Sequence, residues 1–257
     1  MIQQFVTEDG IIVPAATVKQ MQEIDRIAME ETGPNLFQMM ENAGRNLALM
    51  AMKLLNDYWQ EGHYLILAGS GGNGGGGICA ARHLVNRGLN VSLCLSNPER
   101  LKEVTAFQFQ LYQNAGGKVI AINELPSVAP DIVIDALIGY SLRGAPAGNT
   151  TEMLQWANSC TGIKLALDVP SGVDATSGEK SGLFFQAECT LTLALPKTGL
   201  YPHHTGKLYL GDIGIPSSVY RKLGIRYTPP FGNQYIVELQ VPTLAQGNAN
   251  QPTNHSA

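Results

Sequence analysis

Two aspartates in this 257-residue chain follow short apolar runs, where a carboxylate needs a binding partner. Asp135 follows residues 132–134, and Asp168 follows residues 165–167. Burying a carboxylate costs free energy unless the group is bound, so each aspartate either caps a helix or belongs to a ligand site. A polar loop, residues 139–145, follows the first of them. Two such aspartates close to a glycine-rich loop favour a site over two unrelated caps.

The glycine-rich loop, residues 69–77, joins a predicted strand to a predicted helix. Glycine has no Cβ, so a ligand can approach the backbone N–H groups, and the helix N-terminus beyond favours a phosphate. Gly69-x-Gly71-x-x-Gly74 matches the dinucleotide-binding fingerprint, which also expects an acidic residue after the next strand. That strand is followed by Ser96-Asn97, without a carboxylate. An ordinary NAD-dependent dehydrogenase is therefore excluded, and a flexible turn without a ligand is the alternative.

Three oxygen-bearing side chains could together hold a cation: Asn73, Asp135 and Ser171. Such oxygen ligands suit a hard cation and do not suit a transition metal. Lys197 either contacts a phosphate or caps a strand. Ser171 has no histidine nearby in the sequence, so a hydrolase triad is not expected.

The histidines are expected to have structural positions rather than catalytic ones. The pair His203-His204 lacks metal-ligand spacing, so we expect an ordinary surface loop there. His83 falls on the helix that follows the glycine loop and is expected to be structural.

The elements that must position these residues alternate along the chain. Helical periodicity predicts helices over residues 17–30, 36–58, 78–87, 99–114 and 150–159. Continuous apolar runs predict strands over residues 64–68, 91–95, 119–122, 132–136, 165–168 and 189–194. This order predicts an α/β fold, a Rossmann-like doubly wound α/β/α sandwich with a mostly parallel central sheet. Ligands bind such sheets beyond the C-terminal strand ends, where the motifs above fall.

Composition excludes several classes of protein. The net charge of -4 and the pI of about 5.7 argue against a nucleic-acid partner, because such binding neutralises many phosphates. The four cysteines are far apart, without a CxxC pair, and are expected to be mostly buried free thiols in a reducing compartment. The sequence shows no apolar run of about 18 residues and no signal-peptide pattern. We therefore expect a cytoplasmic protein without a membrane partner.

We expect three parts along the chain. Residues 1–15 form a loosely held N-terminal arm, and residues 16–228 form the main domain. Residues 229–257 form a C-terminal extension whose end, residues 246–257, is rich in Asn, Gln, Ser and Pro and is expected to be disordered.

Seven segments, in order and at the right spacing, resemble those of the NAD(P)H-hydrate epimerases, also called the YjeF N-terminal domain. The resemblance covers residues 18–225. Besides the glycine loop with Ala80-Ala-Arg-His-Leu84, the matching segments are Met21-Gln-Glu-Ile-Asp, Met40-Glu-Asn-Ala-Gly44, Asp135-Ala-Leu-Ile-Gly139, Asp168-Val-Pro-Ser-Gly172, Pro196-Lys-Thr-Gly-Leu200 and Gly211-Asp-Ile-Gly-Ile-Pro216.

The resemblance implies a homodimeric isomerase that interconverts the R and S forms of hydrated NADH and NADPH (NADHX and NADPHX) at C6. It implies a separate dehydratase acting downstream, Asp168 as the catalytic acid/base, and potassium held by Asn73, Asp135 and Ser171. The substrate-binding residues that it implies are Gly72, Asn73, Gly74, Gly75, Gly76, Gly139, Tyr140, Ser141, Leu142, Arg143, Gly144, Ala145 and Asp168.

The loop departs from the family at two positions. The family loop usually reads Asn-Asn-Gly-Gly-Asp-Gly, whereas here Gly72 and Gly76 replace an Asn and an Asp. Losing two hydrogen bonds to the substrate would cost about 1–3 kcal/mol each. Two alternatives therefore stay open: a non-catalytic relative that binds a nucleotide-like ligand or a protein, and a different enzyme acting on another phosphorylated ligand.

Overall fold

A ten-stranded sheet runs through the computed structural model, which describes residues 4–241. The strands are β1 (Gln4–Thr7), β2 (Ile12–Pro14), β3 (His63–Ala68), β4 (Asn90–Leu95), β5 (Lys118–Ile120), β6 (Ile132–Ala136), β7 (Ile163–Leu167), β8 (Cys189–Leu193), β9 (Lys207–Gly211) and β10 (Ile236–Gln240). Their order across the sheet is β2-β1-β10-β9-β8-β7-β6-β3-β4-β5.

Seven helices accompany these strands in residues 4–241. They are α1 (Val18–Ile27), α2 (Leu36–Leu54), α3 (Gly72–Val85), α4 (Glu103–Asn114), α5 (Asn149–Ser159), α6 (Pro202–Thr205) and α7 (Ser217–Lys222). A π-helical turn, Ala28–Thr32, extends α1, and short 3-10 turns cover Asn56–Tyr58, Pro98–Arg100 and Ile122–Ser127.

The pairing of β3 through β9 is parallel, and the three remaining strands pair antiparallel. Successive side chains of a strand point to opposite faces. Accordingly, Tyr64 and Ile66 pack in the core that contains α2 and α3, whereas Leu65 and Leu67 pack in the core that contains α5. Buried apolar side chains on both faces explain the continuous apolar runs. The predicted Rossmann-like α/β/α fold with a mostly parallel sheet is confirmed.

The expectation of a loosely held arm is wrong for residues 4–14. Strands β1 and β2 form an antiparallel hairpin, and β1 pairs with β10 from the other end of the chain. Phe5 and Val13 are buried in the core. The hairpin is held in the sheet by β10, which is distant in sequence, and local periodicity does not reveal this contact. The expected disorder at 246–257 lies outside the described residues, and the division at residues 15 and 228 stays a prediction.

The glycine run is mostly helical, which corrects the expected loop. Helix α3 begins at Gly72 rather than at residue 78. A Cβ at Gly75 would lie 2.4 Å from Met40 Sδ, and one at Gly77 would lie 2.4 Å from Ala136 Cβ. These glycines therefore allow α3 to lie directly against α2 and β6, and close packing outweighs the low helix propensity of glycine.

Other element ends differ by a few residues from expectation. Helix α2 stops at Leu54, and α4 starts at Glu103 because Pro98 opens a separate 3-10 turn. The three cysteines in apolar runs, Cys79, Cys94 and Cys189, are buried free thiols, as expected, whereas Cys160 is partly exposed. No helix within residues 4–241 is both long and apolar enough to cross a membrane.

Candidate active site

A cavity of about 410 Å³ lies at the C-terminal ends of the parallel strands. Asp168 and Lys197 line it from the segments after β7 and β8, and Gly72 and Asn73 line it from the first turn of α3. The first N–H groups of a helix lack intrahelical partners and carry partial positive charge. The cavity therefore combines a buried ionic pair with a helix terminus suited to phosphate.

Asp168 is buried immediately after β7, with a φ of 67°. Its Oδ1 accepts hydrogen bonds from Lys197 Nζ and from the backbone N–H of Leu193, at 3.3 Å, and a long one from the Thr192 hydroxyl, at 3.5 Å. Among residues 4–241, the side-chain hydrogen bonds of Asp168 all end on this oxygen. The other oxygen, Oδ2, stays available to a ligand.

Lys197 is almost completely buried, with 1% of its surface exposed. Its Nζ pairs with Asp168 and also donates to the Leu193 carbonyl at 2.9 Å. Lys197 thus caps the end of β8, which is one of its two predicted roles, and contact with a phosphate stays a prediction. The ion pair with Asp168 was not foreseen, because the sequence pattern does not show that the two segments meet.

Asp135 is also buried, but it is bonded to neutral donors. Its carboxylate accepts from Ser171 Oγ at 2.7 Å, from Ser171 N at 2.8 Å and from Leu137 N at 3.0 Å. Ser171 Oγ accepts in turn from Ile138 N at 2.8 Å. Burial raises the pKa of Asp135 to about 6, although the Ser171 and Leu137 hydrogen bonds oppose this. The carboxylate thus ties the loop after β6 to the loop after β7.

Asn73 lies beside the loop that Asp135 and Ser171 anchor. A Cβ at Gly139 would be 3.1 Å from Asn73 Oδ1, and Asn73 Nδ2 is buried without a hydrogen-bond partner in residues 4–241. The amide is free of competing internal bonds, so it can present its oxygen to a cation. Carboxylate, hydroxyl and amide oxygens together fit a hard cation such as potassium and not a transition metal.

The sequence reasoning did not single out Asp25 on α1, which lines the same cavity. Tyr140 O–H donates a short hydrogen bond to Asp25 Oδ2. Burial raises the pKa of both groups. The sequence did contain a signal for Asp25. It lies four residues after Met21 and therefore on the same face of α1, and a carboxylate on a buried helix face indicates a function. Lys102, at the start of α4, is a further charged residue lining the cavity that the sequence reasoning did not identify.

The structure brings together about half of the predicted substrate-binding residues. Those that line the cavity are Gly72, Asn73, Gly76, Gly139, Tyr140, Ser141 and Asp168. Gly74 and Gly75 are instead buried, and a Cβ at Gly74 would meet the Gly69 carbonyl oxygen at 1.8 Å. The rest of the loop, Leu142, Arg143, Gly144 and Ala145, continues outside the cavity lining, with the last three exposed.

Two histidine expectations have different outcomes. His83 pairs with Glu41 at 2.9 Å, consistent with a structural position. His204 is buried rather than on a surface loop, because it belongs to α6 and packs near Phe184 and Tyr201. Burial lowers the pKa of His204 to about 4.

A second group of potential metal ligands lies between α2 and α3. Glu41, Cys79 and His83 offer ligand atoms within 4.8 Å of one another. Arg82 Nη2 donates to Glu41 Oε1 at 2.7 Å and to Oε2 at 2.5 Å. The guanidinium therefore already balances the carboxylate charge within this cluster.

Comparison with known proteins then places the chain. Residues 36–199 match the family described as YjeF-related protein N-terminus. The chain belongs to this YjeF-related family. The segment holds Asn73, Asp135, Asp168, Ser171 and Lys197, and the predicted family is confirmed.

Relatives of this YjeF-related chain carry informative names. An NAD(P)H-hydrate epimerase of Dehalogenimonas lykanthroporepellens is 50% identical over 240 residues, covering 93% of this chain and 98% of the relative. A bifunctional NAD(P)H-hydrate repair enzyme of Hyperthermus butylicus is 40% identical, covering 73% of this chain but 36% of the relative. A crystal structure of the yeast protein YNL200c superposes with a TM-score of 0.77 at 21% identity, covering 88% of this chain and all of that chain, which shows a shared fold.

Proposed function

We propose that this protein is an NAD(P)H-hydrate epimerase, which interconverts the R and S forms of NADHX and NADPHX at C6 as part of nicotinamide cofactor repair. The observation that carries the proposal is the 50% identity to a named epimerase over nearly the whole of both chains. An isomerase of this type needs a proton-transfer group beside a site for a phosphate-bearing ligand, and the cavity provides both.

The chemistry follows from the residues that line the cavity. The N-terminal turn of α3, at Gly72 and Asn73, binds the phosphates, with Lys102 nearby as an additional positive charge. Changing the configuration at C6 requires that a bond to this carbon breaks and re-forms, with proton transfer at an oxygen within about 3 Å of a carboxyl group. Asp168 performs that transfer through Oδ2, while Lys197 holds Oδ1 in place.

Potassium is part of the proposal. Asn73, Asp135 and Ser171 would hold the ion, which would supply positive charge beside the Asp135 carboxylate. The residues themselves hold the loops after β6 and β7 in position, and those loops carry Tyr140 and Asp168.

Coupled turnover tests the activity directly. R-NADHX is supplied with an S-specific dehydratase, and NADH formation is followed by absorbance with and without the protein. We expect a rate well above spontaneous epimerisation, and no dependence on the protein when S-NADHX is the starting material. A rate equal to the spontaneous one in both potassium and sodium buffers would refute the proposal.

The loop substitutions Gly72 and Gly76 favour one alternative, a non-catalytic relative that binds a nucleotide-like ligand or a protein. Thermal-shift measurements with NADPH, ADP-ribose and potassium separate it from the enzyme. Stabilisation by these ligands together with absent turnover would favour the binding protein.

We also propose a cytoplasmic homodimer that works with a separate dehydratase. The Hyperthermus relative is named as a bifunctional repair enzyme, and this chain covers about a third of it. Phe37 and Phe107 form an exposed edge-to-face pair, with ring centroids 5.2 Å apart, that could lie in a subunit contact. Light scattering during size-exclusion chromatography would report a dimer mass if the proposal holds and a monomer mass if it fails.

A further inference from the structure

The cavity is lined by a second carboxyl group, Asp25, in addition to Asp168. Asp25 comes from α1, whereas Asp168 comes from the end of β7, so the two carboxyls belong to separate elements that line one space. The Tyr140 hydroxyl donates a hydrogen bond to Oδ2 of Asp25. Within residues 4–241, the Asp25 side chain makes no other hydrogen bond. Its second oxygen, Oδ1, is therefore available to a ligand.

The two carboxyls have different electrostatic surroundings. Asp168 accepts directly from the Lys197 ammonium, whereas Asp25 accepts from a neutral phenol. Burial raises the pKa of Asp25; the Tyr140 hydrogen bond and the charge of Lys197 oppose the rise, and the charge of Asp168 adds to it. Lys197 Nζ lies 5.9 Å from the Tyr140 ring centroid, so the four groups form one connected set. The charge of Asp25 contributes in turn to the raised pKa of Tyr220 on α7, which burial chiefly causes.

Unequal carboxyl groups in one cavity are the arrangement that acid and base catalysis uses, with one group protonated and the other ionised. Epimerisation at C6 has a particular need for two. The hydroxyl lies on one face of the ring in the R form and on the other face in the S form. A single carboxyl on one wall reaches only one of these faces unless the ring turns over within the site.

We propose that Asp25 is a second proton-transfer residue of this cavity, serving the ring face that Asp168 does not reach. The inference deepens the proposed epimerase function and rests on it. In one direction Asp25 gives a proton to the C6 hydroxyl, the C–O bond electrons leave with water, and the ring nitrogen lone pair forms a C=N bond. Water then adds to C6 from the other face, the C=N electrons return to nitrogen, and Asp168 takes the proton released.

The reverse reaction exchanges the two roles. Proton exchange with solvent returns each carboxyl to its starting state between turnovers, so no oxidant, reductant or further reactant is required. Tyr140 acts as a positioning residue, because it contacts Asp25 and not the reacting carbon in this scheme.

Asp25→Asn tests the proposal, because the amide oxygen still accepts the Tyr140 hydrogen bond but the group no longer transfers a proton. Turnover of R-NADHX is measured at saturation, and affinity is measured by calorimetry with an equilibrated mixture of the two NADHX epimers. We expect kcat to fall by about 10²–10⁴-fold, with affinity changed less than about threefold. Tyr140→Phe should lower kcat by a smaller factor, since Asp25 remains.

Glu23→Gln is the matched control on the same helix. Its carboxylate pairs with Arg26, is 42% exposed and does not line the cavity, so turnover should stay at the wild-type rate. Thermal unfolding of each variant checks the fold, and if Asp25→Asn fails to fold, Asp25→Ser and Tyr140→Phe provide the kcat comparison.

Each result has a defined meaning. A fully active Asp25→Asn variant overturns this inference and leaves the proposed function intact. A variant that loses affinity but keeps kcat shows that Asp25 only binds, which also overturns it. A wild-type protein that binds the NADHX mixture without accelerating epimerisation overturns the proposed function and this inference together.

Discussion

Asp135 and Asp168 end neighbouring parallel strands, yet the fold surrounds them with different partners. Asp135 receives three hydrogen bonds from neutral groups of two loops and does not line the cavity. Asp168 receives the Lys197 ammonium on one oxygen and lines the cavity. Aspartates near the ends of neighbouring strands can therefore serve two purposes: Asp135 holds two loops together, and we propose that Asp168 transfers protons.

The largest effect that this comparison predicts is on turnover. We expect Asp168→Asn to lower kcat by about 10³-fold or more, because the amide cannot transfer a proton. Asparagine tolerates the positive φ at this position and still accepts from Lys197, so the variant should fold. Coupled turnover and thermal unfolding measure the two quantities. Wild-type turnover by this variant would remove Asp168 from the proton-transfer step.

The two aspartates also show how much of the site the sequence contains. An aspartate after an apolar run is a local pattern, and so is Asn73 within glycines. The pairing of Lys197 with Asp168, and the position of Asp25 beside Tyr140, depend on how α1 and the segment after β8 pack on the strand ends. Such contacts join residues far apart in the chain, and a single sequence carries no direct signal of them.

The fold divides in a similar way. Strand β6 was predicted with its observed bounds because it is buried on both faces and therefore reads as a continuous apolar run. Strands β1 and β2 have only four and three residues, and β1 joins the sheet through long-range antiparallel pairing with β10, so residues 4–14 were misassigned to an arm. In α3, glycine propensity predicted a loop, and the tight packing of Gly75 and Gly77 against their neighbours produced a helix instead.

The next largest effect concerns the buried ion pair. Lys197→Met should destabilise the protein by about 3–5 kcal/mol, because it leaves the Asp168 carboxylate buried without its ammonium partner. Urea unfolding measures the loss. The double variant Asp168→Asn, Lys197→Met should recover part of it, since neither charge then remains. If the loss of unfolding free energy in the double variant equals the sum of the two single losses, the two side chains do not interact as the contacts indicate.

A smaller loss of stability is expected at Asp135, with a change in ion dependence. Ser171→Ala removes the hydroxyl that donates to Asp135 and accepts from Ile138 N, which should cost about 1–3 kcal/mol. Because Ser171 is also a proposed cation ligand, turnover of this variant should respond less to replacing sodium with potassium. Ser177→Ala is a matched control, since its hydroxyl is exposed and bonds to Asp174. An unchanged potassium response in Ser171→Ala would argue against this ion site.

The smallest effect concerns two glycines in the first turns of α3, Gly72 and Gly76. A Cβ at Gly76 would lie 2.9 Å from Leu167 Cδ2, whereas a Cβ at Gly72 meets no atom within 4 Å. Gly72→Ala should therefore stabilise α3 by about 0.4–1 kcal/mol through the lower entropy of the unfolded chain. Gly72→Asn restores the family side chain on the cavity wall and should lower the KM for R-NADHX, whereas Gly72→Ala should not. If both variants leave KM unchanged, backbone N–H groups at the start of α3 already provide the contact that the family makes with a side chain.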